Sequence, residues 1–157
     1  MLDAHQLQAS RDDRILFAGL GFRLSPGQVM QVAGPNGAGK TTLLNGIAGL
    51  FPLEAGQLRW QGRDVADDPR AFRRDFTWLG HQAGLKLMLT PLENLDWLSR
   101  LRGEVAGRGV MEAALDKVGL YGYEDVPLAR LSAGQKRRVG LARLFVEGRP
   151  LWILDEP

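Results

Sequence analysis

The feature that most constrains this chain is a glycine-rich segment in its first third. The segment reads Gly34-Pro35-Asn36-Gly37-Ala38-Gly39-Lys40-Thr41-Thr42. An apolar run, residues 29–33, precedes it, and Leu43, Leu44 and Ile47 follow it at a spacing typical of a helix. This order predicts a strand, a loop and a helix. Glycines let such a loop wrap with its N–H groups pointing inward, and the helix adds the positive end of its dipole. The whole segment is therefore predicted to bind phosphate.

The residue types in the segment also predict two specific contacts. Gly34 to Thr41 match the pattern G-x-x-x-x-G-K-[ST], in which the lysine reaches the β- and γ-phosphates and the hydroxyl ligates Mg²⁺. Lys40 and Thr41 are the candidates for these contacts. The competing interpretation is a glycine-rich turn with a chance lysine, but the flanking strand and helix patterns favour phosphate binding.

Composition limits the other classes of function. The 157 residues are 45% hydrophobic and 24% charged, as is typical of one soluble globular domain with a buried core. The absence of cysteine excludes disulfides and thiolate metal sites. The formal charge of +2 is small for a protein that binds nucleic acid through charge, and the one basic run, Lys136-Arg137-Arg138, is interpreted as a solvated helix face. No nucleic acid partner is predicted.

Membrane insertion and histidine metal sites are not predicted either. No stretch approaches the roughly 20 apolar residues that a membrane-spanning helix needs. The first residues include early acids and no apolar region, so no signal peptide is expected. His5 and His81 lack neighbours at metal-ligand spacing.

The second half of the chain is predicted to be mainly helical. Thr90-Pro91-Leu92-Glu93 forms a capping box with proline at the first helical position, which predicts a helix to about Leu101. A second helix is expected from Val110 to Val118, where Gly119 ends it.

Two further segments carry candidate chemistry. Ser132 and Gln135 form a capping box within Leu131-Ser132-Ala133-Gly134-Gln135, and the helix start it predicts would also expose N–H groups and a hydroxyl suited to a phosphate. Both interpretations stay open on the residues alone. The apolar run at residues 151–154 predicts a strand that leads into Asp155-Glu156, which is either an ordinary polar strand end or a pair of carboxylates delivered to a site.

Three segments resemble the motifs of ATP-binding cassette (ABC) ATPases in their order and spacing, and together they cover nearly the whole chain. They are the glycine loop, the Ser132 segment and the strand that ends in Asp155-Glu156. Further stretches of the sequence are similar to the sequences of the ATP-binding subunits of the haem exporters used in bacterial cytochrome c maturation. These stretches are residues 80–86, 89–95, 131–138 and 141–144.

The resemblance implies an α/β fold, the three-layer P-loop NTPase core of ABC type. A mainly parallel sheet flanked by helices is expected, with an N-terminal antiparallel β portion that includes a strand from Leu58 to Gly62. A helical subdomain that contains the signature motif is expected at residues 84–140, inserted in a single ABC ATPase domain, residues 1–157.

The resemblance also implies roles in ATP hydrolysis. Asp155 would hold Mg²⁺ through water, and Glu156 would be the general base. Gln82, after the predicted strand at residues 76–79, would sense the metal and water and link the site to a membrane subunit. Ser132 and Gly134 would contact the γ-phosphate held by a second copy of the chain, so the active form would be a dimer with two ATP molecules between its subunits.

The expected partners are therefore a second copy and integral membrane subunits, whose coupling helix would bind a groove of the helical subdomain. The expected location is peripheral, at the cytoplasmic face of the bacterial inner membrane. The short interval between Gln82 and Ser132 carries no sustained heptad pattern, unlike the long coiled coil of DNA-repair relatives, which favours the transporter branch.

Two departures from the family pattern are visible. Residues 10–14 contain no aromatic side chain to stack on adenine, so Arg11 or Arg14 is the candidate for that contact. The chain stops at Pro157, where the family continues with a dimer-contact loop, a further core strand and a switch histidine. C-terminal core strands are thus expected to be missing, an apolar sheet edge to be unpaired, and the 157-residue polypeptide alone to be poorly soluble and inactive.

Four alternatives stay open at this point. The chain could serve another ABC importer or exporter with a different cargo. It could be a soluble ABC protein acting on ribosomes or DNA, although neither a duplicated cassette nor a long insertion is present. It could be a non-enzymatic nucleotide-binding module. Within the haem role, either haem itself is moved or ATP drives release of a haem carrier. A GTPase is disfavoured because the chain has no N-K-x-D motif.

Overall fold

The structure is a computed structural model that describes residues 1–80 and 84–156. The described residues form an α/β protein with two compact units, Met1–Asp75 and Phe76–Pro157. The strands and helices are, in chain order, β1 (Leu2–Arg11), β2 (Arg14–Leu24), α1 (Lys40–Ile47), β3 (Ala55–Trp60), β4 (Arg63–Asp64), α2 (Pro69–Arg74), β5 (Phe76–Leu79), α3 (Pro91–Leu101), α4 (Arg108–Lys117), α5 (Ala133–Glu147) and β6 (Leu151–Leu154). Among these helices, none combines the length and the apolar character needed to span a bilayer.

The first unit is built on an antiparallel sheet with the strand order β2-β1-β3-β4. Leu7 and Ala9 of β1 are fully buried, as expected for the central strand of such a sheet. The predicted N-terminal antiparallel portion is therefore confirmed. The predicted bounds of its third strand are wrong, because β3 ends at Trp60 and the next two residues, Gln61 (φ 51°) and Gly62 (φ 83°), form the left-handed turn into β4.

The strand predicted at residues 29–33 is absent. The structure assigns no strand to residues 25–39, and no described strand pairs with them. Val29 is 97% exposed. An apolar run becomes a strand only where a neighbouring strand accepts and donates its ladder hydrogen bonds, and residues 29–33 have no such neighbour among residues 1–80 and 84–156.

The second unit contains a short parallel pair of strands. Phe76 of β5 pairs with Leu151 of β6, and Leu79 with Leu154; the strands predicted at residues 76–79 and 151–154 are confirmed. The N–H of Asp155 continues the pairing by donating to the carbonyl of Leu79 at 2.8 Å.

The helices of the second unit pack on one another around a common apolar core. The predicted capping boxes are present, at Thr90 before α3 and at Ser132 before α5. The helix predicted at residues 110–118 is confirmed as α4, shifted by one or two residues. The buried core residues are Leu92, Leu95, Met111, Ala114, Leu115, Leu120, Leu128, Leu131, Val139 and Ala142.

A buried carboxylate joins three elements of this unit. The side chain of Glu147, at the end of α5, is 2% exposed. Its Oε1 accepts from Arg143 Nε at 3.1 Å and Nη2 at 3.0 Å, and its Oε2 accepts from Thr77 Oγ1 at 2.6 Å. Arg102 Nη1 lies 3.5 Å from the same Oε2 and donates to the carbonyl of Phe76 at 3.1 Å. The group thus links α5 to β5 and to the end of α3.

A buried amide fixes the segment that leads into α3. Asn94 is fully buried. Its Oδ1 accepts from Lys86 N at 2.7 Å, and its Nδ2 donates to the carbonyls of Lys86 at 3.0 Å and Thr90 at 2.9 Å. Residues 86–90 are therefore held against the first turns of α3 by one side chain.

Candidate active site

The glycine loop turns tightly into the first residue of α1. Gly37 (φ 79°) and Gly39 (φ 90°) are both in the left-handed region that glycine adopts without strain. Gly39 is the N-cap of α1, which begins at Lys40, and the N–H of Ala38 donates to the carbonyl of Pro35 at 3.2 Å within the turn. The predicted arrangement of a loop that leads directly into a helix is confirmed. The positive end of the α1 dipole therefore faces the loop.

Gly39 is also a point of close approach. A Cβ built on Gly39 would lie 3.0 Å from Leu16 Cβ and 3.5 Å from Phe17 Cδ1. Strand β2 thus packs against the loop at Gly39, and a larger side chain at this position would displace either the strand or the loop. Sequence reasoning missed Leu16 and Phe17, because no local pattern connects them with a loop that is far along the chain.

Lys40 closes the loop. Its Nζ donates to the carbonyl oxygens of Gly34 at 2.8 Å and Pro35 at 2.9 Å. The Lys40 side chain therefore folds back over the glycine loop, and the Lys40 backbone is the first residue of α1. A polyanion that enters the loop would meet a cation and a helix N-terminus at the same place, which is the chemistry of a phosphate site.

The amino end of α5 is the second predicted phosphate-binding element. Ser132 Oγ accepts from the N–H of Gln135 at 3.2 Å, and Gln135 Oε1 accepts from the N–H of Ser132 at 2.8 Å. A Cβ built on Gly134 would meet no atom within 4 Å. Ser132 and Gly134 are both exposed, so this helix end is open to another molecule.

The acidic pair follows β6 directly. Asp155 is buried and Glu156 is exposed. Glu156 has φ 51°, an unfavourable backbone conformation for a residue with a side chain. The carboxyl ends of parallel strands lie at the same edge of a sheet, so Gly80 follows β5 at the edge where Asp155 follows β6. Gln82, the predicted metal and water sensor, lies outside the described residues, as does His81.

The predicted site residues are thus described in two groups. The phosphate-loop residues 34–42 belong to the first compact unit, whereas Ser132, Gly134, Asp155 and Glu156 belong to the second. No group of three or more His, Cys, Asp or Glu side chains that could hold a metal occurs within residues 1–80 and 84–156. The hydroxyl of Thr41 and the carboxylate of Asp155 are oxygen ligands of the kind Mg²⁺ prefers, and this ion usually completes its shell with water and substrate phosphates. Each of these two donors, taken in its own unit, is therefore chemically suited to Mg²⁺.

Comparison with known proteins decides the family. The family model described as ABC transporter matches residues 17–157. The chain belongs to the ABC transporter family. This ABC chain is 48% identical over 157 residues to the cytochrome c biogenesis ATP-binding export protein CcmA of Yersinia pestis bv. Antiqua (strain Nepal516), covering 100% of the chain and 72% of the relative. It is 49% identical over 157 residues to CcmA of Vibrio cholerae serotype O1, covering 100% of the chain and 76% of the relative.

Solved structures agree with the ABC assignment. A structure described as the ATP binding subunit of an ABC transporter superposes with a TM-score of 0.84 at 26% identity, covering 100% of the chain and 66% of that structure. The structure of cbiO1 from Clostridium perfringens, part of the ABC transporter complex cbiONQ, superposes with a TM-score of 0.83 at 22% identity, covering 99% and 65%. The ABC-type α/β fold is confirmed, and so is the resemblance to cytochrome c biogenesis ATP-binding proteins.

Proposed function

We propose that this chain is the ATP-binding and ATP-hydrolysing subunit of a membrane ABC complex that serves haem handling in c-type cytochrome maturation. The observation that carries the ATP-binding part is the position of the Lys40 ammonium on the carbonyls of Gly34 and Pro35, at the amino end of α1. The export role is supported by the names of the CcmA relatives, which are about half identical to this chain over its whole length.

We assign the residues as follows. The loop from Gly34 to Thr42 binds the triphosphate, and Lys40 neutralises charge on its β- and γ-phosphates. Thr41, Gln82 and Asp155 would hold Mg²⁺, which when bound neutralises charge that develops on the phosphates. Glu156 takes a proton from water as the water oxygen bonds to the γ-phosphorus and the bond to ADP breaks.

The second copy and the membrane subunits complete the proposal. Ser132 and Gly134 contact the γ-phosphate of a second copy, which is supported by the open helix end at Gly134. Residues 1–157 act as one ABC domain in which residues 84–140 form the helical subdomain that receives the membrane partner. The complex lies at the cytoplasmic face of the bacterial inner membrane.

The test of nucleotide binding compares two lysines. Lys40→Ala removes the loop cation, whereas Lys117→Ala removes an exposed cation at the end of α4, where it lies over the Phe145 ring. We expect Lys40→Ala to weaken ATP binding at least tenfold in equilibrium dialysis, because a hydrogen-bonded charge pair contributes more than about 1.4 kcal/mol. Lys117→Ala should bind ATP normally. Equal affinities for the two variants would show that the loop is not the ATP site.

The test of action across a dimer uses Gly134→Ala. The structure has room for this methyl group, and alanine favours a helix over glycine, so the free energy of unfolding should stay the same or rise by up to about 1 kcal/mol. If a second copy approaches this surface closely, ATP hydrolysis by the assembled membrane complex should nevertheless fall. Unchanged hydrolysis in a normally folded Gly134→Ala complex would contradict the role in trans.

The cargo is tested with the membrane subunits present. We expect the chain to co-purify with integral membrane subunits, and ATP to change the haem content of that complex only when Glu156 is intact. Glu156→Gln keeps the size of the side chain but removes the base, so ATP should bind without haem release. A haem content that follows ATP equally in both proteins would refute the coupling. The chain alone is expected to show no sustained hydrolysis, because the segment that enters the loop is not held in a sheet.

A further inference from the structure

The buried apolar positions of β1 shift by one residue halfway along the strand. Leu2 and Ala4 are buried near its start, whereas Leu7 and Ala9 are buried near its end. Because the side chains of a regular strand alternate between its two faces, an unbroken strand would place residues 2, 4, 6 and 8 on one face and residues 7 and 9 on the other. The strand therefore contains one extra residue between Ala4 and Leu7.

The extra residue forms a β-bulge at Gln6. The pairing of β1 with β2 places His5 and Gln6 opposite the single residue Gly21. Two residues opposite one define a β-bulge, which bends the strand and re-aims the side chains beyond it. Gln6 has φ 52°, a left-handed conformation that is unfavourable for a residue with a side chain. Such a conformation persists only where the surrounding strands hold it in place.

Gly56 of β3 makes room for the bulge. The pairing of β1 with β3 shifts at the same place, between His5 and Gln8. A Cβ built on Gly56 would lie 2.6 Å from the carbonyl carbon and oxygen of Gln6 and 2.6 Å from the carbonyl oxygen of His5. These are backbone atoms, so they cannot rotate away as a side chain can. Gly56 also has φ 100°, and glycine is therefore the residue that fits beside the bulge.

Strand β2 has a matching irregularity. Ala18 and Gly19 lie opposite the single residue Gln8, and Gly19 has φ 66°. A Cβ built on Gly19 would lie 3.3 Å from Gln6 Oε1. Because β1 lies between β2 and β3, left-handed backbone on three adjacent strands meets around Gln6. The bend therefore crosses three strands of the sheet.

The bulge determines which face of the β1–β2 hairpin packs on the phosphate loop. Ala9 is fully buried and pairs with Phe17, so their side chains lie on one face. Phe17 Cδ1 lies 3.5 Å from a Cβ built on Gly39. Without the extra residue in β1, Ala9 and its partner would lie on the opposite face, away from Gly39. Gln6 and Ala9 are three residues apart, which is about 10 Å along the strand.

We propose that Gly56 is a positioning residue for the triphosphate loop. By making room for the bulge at Gln6, it fixes the position of Phe17 against Gly39 and thereby the affinity of the loop for phosphate. The proposal rests on the proposed function, because it requires a triphosphate on the loop. The atoms nearest a Cβ on Gly56 belong to β1, so the effect passes through the packed strand and not through contact with the ligand.

The experiment measures binding of inorganic tripolyphosphate by isothermal titration calorimetry. Gly56→Ala should raise its Kd about two- to thirtyfold, the range in which residues along a packed route alter the coupling between distant positions. The Kd for ATP should rise by the same factor, because both ligands bind the loop through phosphate. The Kd is the decisive quantity. A merely structural role would lower the fraction of folded chains, and hence the number of binding sites, and would leave the Kd unchanged.

The control is Gly62→Ala, in the turn between β3 and β4. Gly62 has φ 83°, so both variants add a methyl group to a left-handed glycine of the same sheet. A Cβ built on Gly62 would meet no atom within 4 Å. Gly62→Ala therefore shares the backbone strain of Gly56→Ala without displacing the bulge, and its Kd for tripolyphosphate should equal that of the unvaried chain. An equal rise in both variants would overturn the proposal.

A double variant tests the route through Phe17. Phe17→Ala removes the ring that lies against Gly39, so a displaced hairpin no longer moves this ring against the loop. Gly56→Ala should therefore raise the Kd by a smaller factor in the Phe17→Ala chain than in the unvaried chain. If the two factors multiply in full, Gly56 acts independently of Phe17 and the proposed route is wrong.

A measurement on the unvaried chain covers the case in which Gly56→Ala does not fold. Coupling is reciprocal, so a bulge that changes the affinity for triphosphate must itself be stabilised when triphosphate binds. Saturating tripolyphosphate should slow amide hydrogen exchange at residues 5–8 and leave it unchanged at Gln61 and Gly62. Unchanged exchange at residues 5–8 would contradict the proposal.

Lys40→Ala separates failure of this proposal from failure of the proposed function. If Lys40→Ala abolishes tripolyphosphate binding while Gly56→Ala binds with the Kd of the unvaried chain, the loop is the phosphate site and only the positioning role is wrong. If Lys40→Ala binds tripolyphosphate normally, the phosphate site itself is wrong.

Discussion

Glu147 offers the sharpest test of what holds the second unit together. Its carboxylate is 2% exposed and accepts hydrogen bonds from Arg143 and Thr77, with Arg102 Nη1 at 3.5 Å. Glu147→Ala would leave two guanidinium groups in a partly buried site without an anion. Breaking a buried pair by removing one partner destabilises a protein by about 3–5 kcal/mol.

The lower end of that range applies here. Arg102 keeps 25% exposure and already donates to the carbonyl of Phe76, so its charge stays partly solvated after the change. We therefore expect a loss of about 3 kcal/mol in the free energy of unfolding, or about 6–12 °C in Tm for a chain of this size. Urea unfolding followed by tryptophan fluorescence measures it, since Trp78 and Trp152 lie on the strands of the same unit.

The matched control is another arginine and glutamate four residues apart. Arg108 Nε lies 2.7 Å from Glu112 Oε1 on α4, and both side chains are well exposed. Glu112→Ala should change stability by no more than about 0.5 kcal/mol. A loss in Glu147→Ala no larger than the loss in Glu112→Ala would refute the reasoning. A double change of Glu147 and Arg143 to methionine should recover part of the loss, because it also removes the Arg143 charge, while Arg102 keeps its hydrogen bond to the Phe76 carbonyl and its partial exposure.

Two further predictions concern a buried amide and a half-buried acid. Asn94→Ala removes three hydrogen bonds, two of them to the Lys86 backbone, so it should lower stability by about 2–3 kcal/mol and speed hydrogen exchange at the Lys86 amide. The pKa of Asp64 is lowered below its ordinary value, first by the hydrogen bond from the Ala66 N–H and then by the one from the Gln57 side chain. A carboxyl group whose pKa is lowered by folding stabilises the fold at pH values above its ordinary pKa, and this contribution is lost as the pH falls. Asp64→Asn should therefore flatten the decline in the free energy of unfolding between about pH 5 and pH 2. An equally steep decline in urea unfolding of the variant would contradict this prediction.

The helices of the second unit could be predicted because their signals are local. A capping box needs only residues that are three positions apart, and both predicted boxes are present, at Thr90 and at Ser132. Strands depend on partners that are distant in sequence. Residues 29–33 have the composition of a strand, yet no described strand pairs with them and Val29 is exposed. The bounds of β3 were missed for a related reason, since pairing with β1 and the turn at Gln61 set them.

The candidate site likewise contains one part that local sequence predicts and another that depends on distant residues. The pattern of residues 34–42 predicts a phosphate loop because its glycines, lysine and hydroxyl act within a few residues of one another. What supports the loop is a matter of register. A single unpaired residue in β2 turns both Leu16 and Phe17 toward Gly39. Without that bulge, alternation would turn Phe17 to the face opposite Leu16 and Arg14, away from Gly39. The support of the loop therefore depends on pairing between residues that are distant in sequence, which no pattern within residues 34–42 shows.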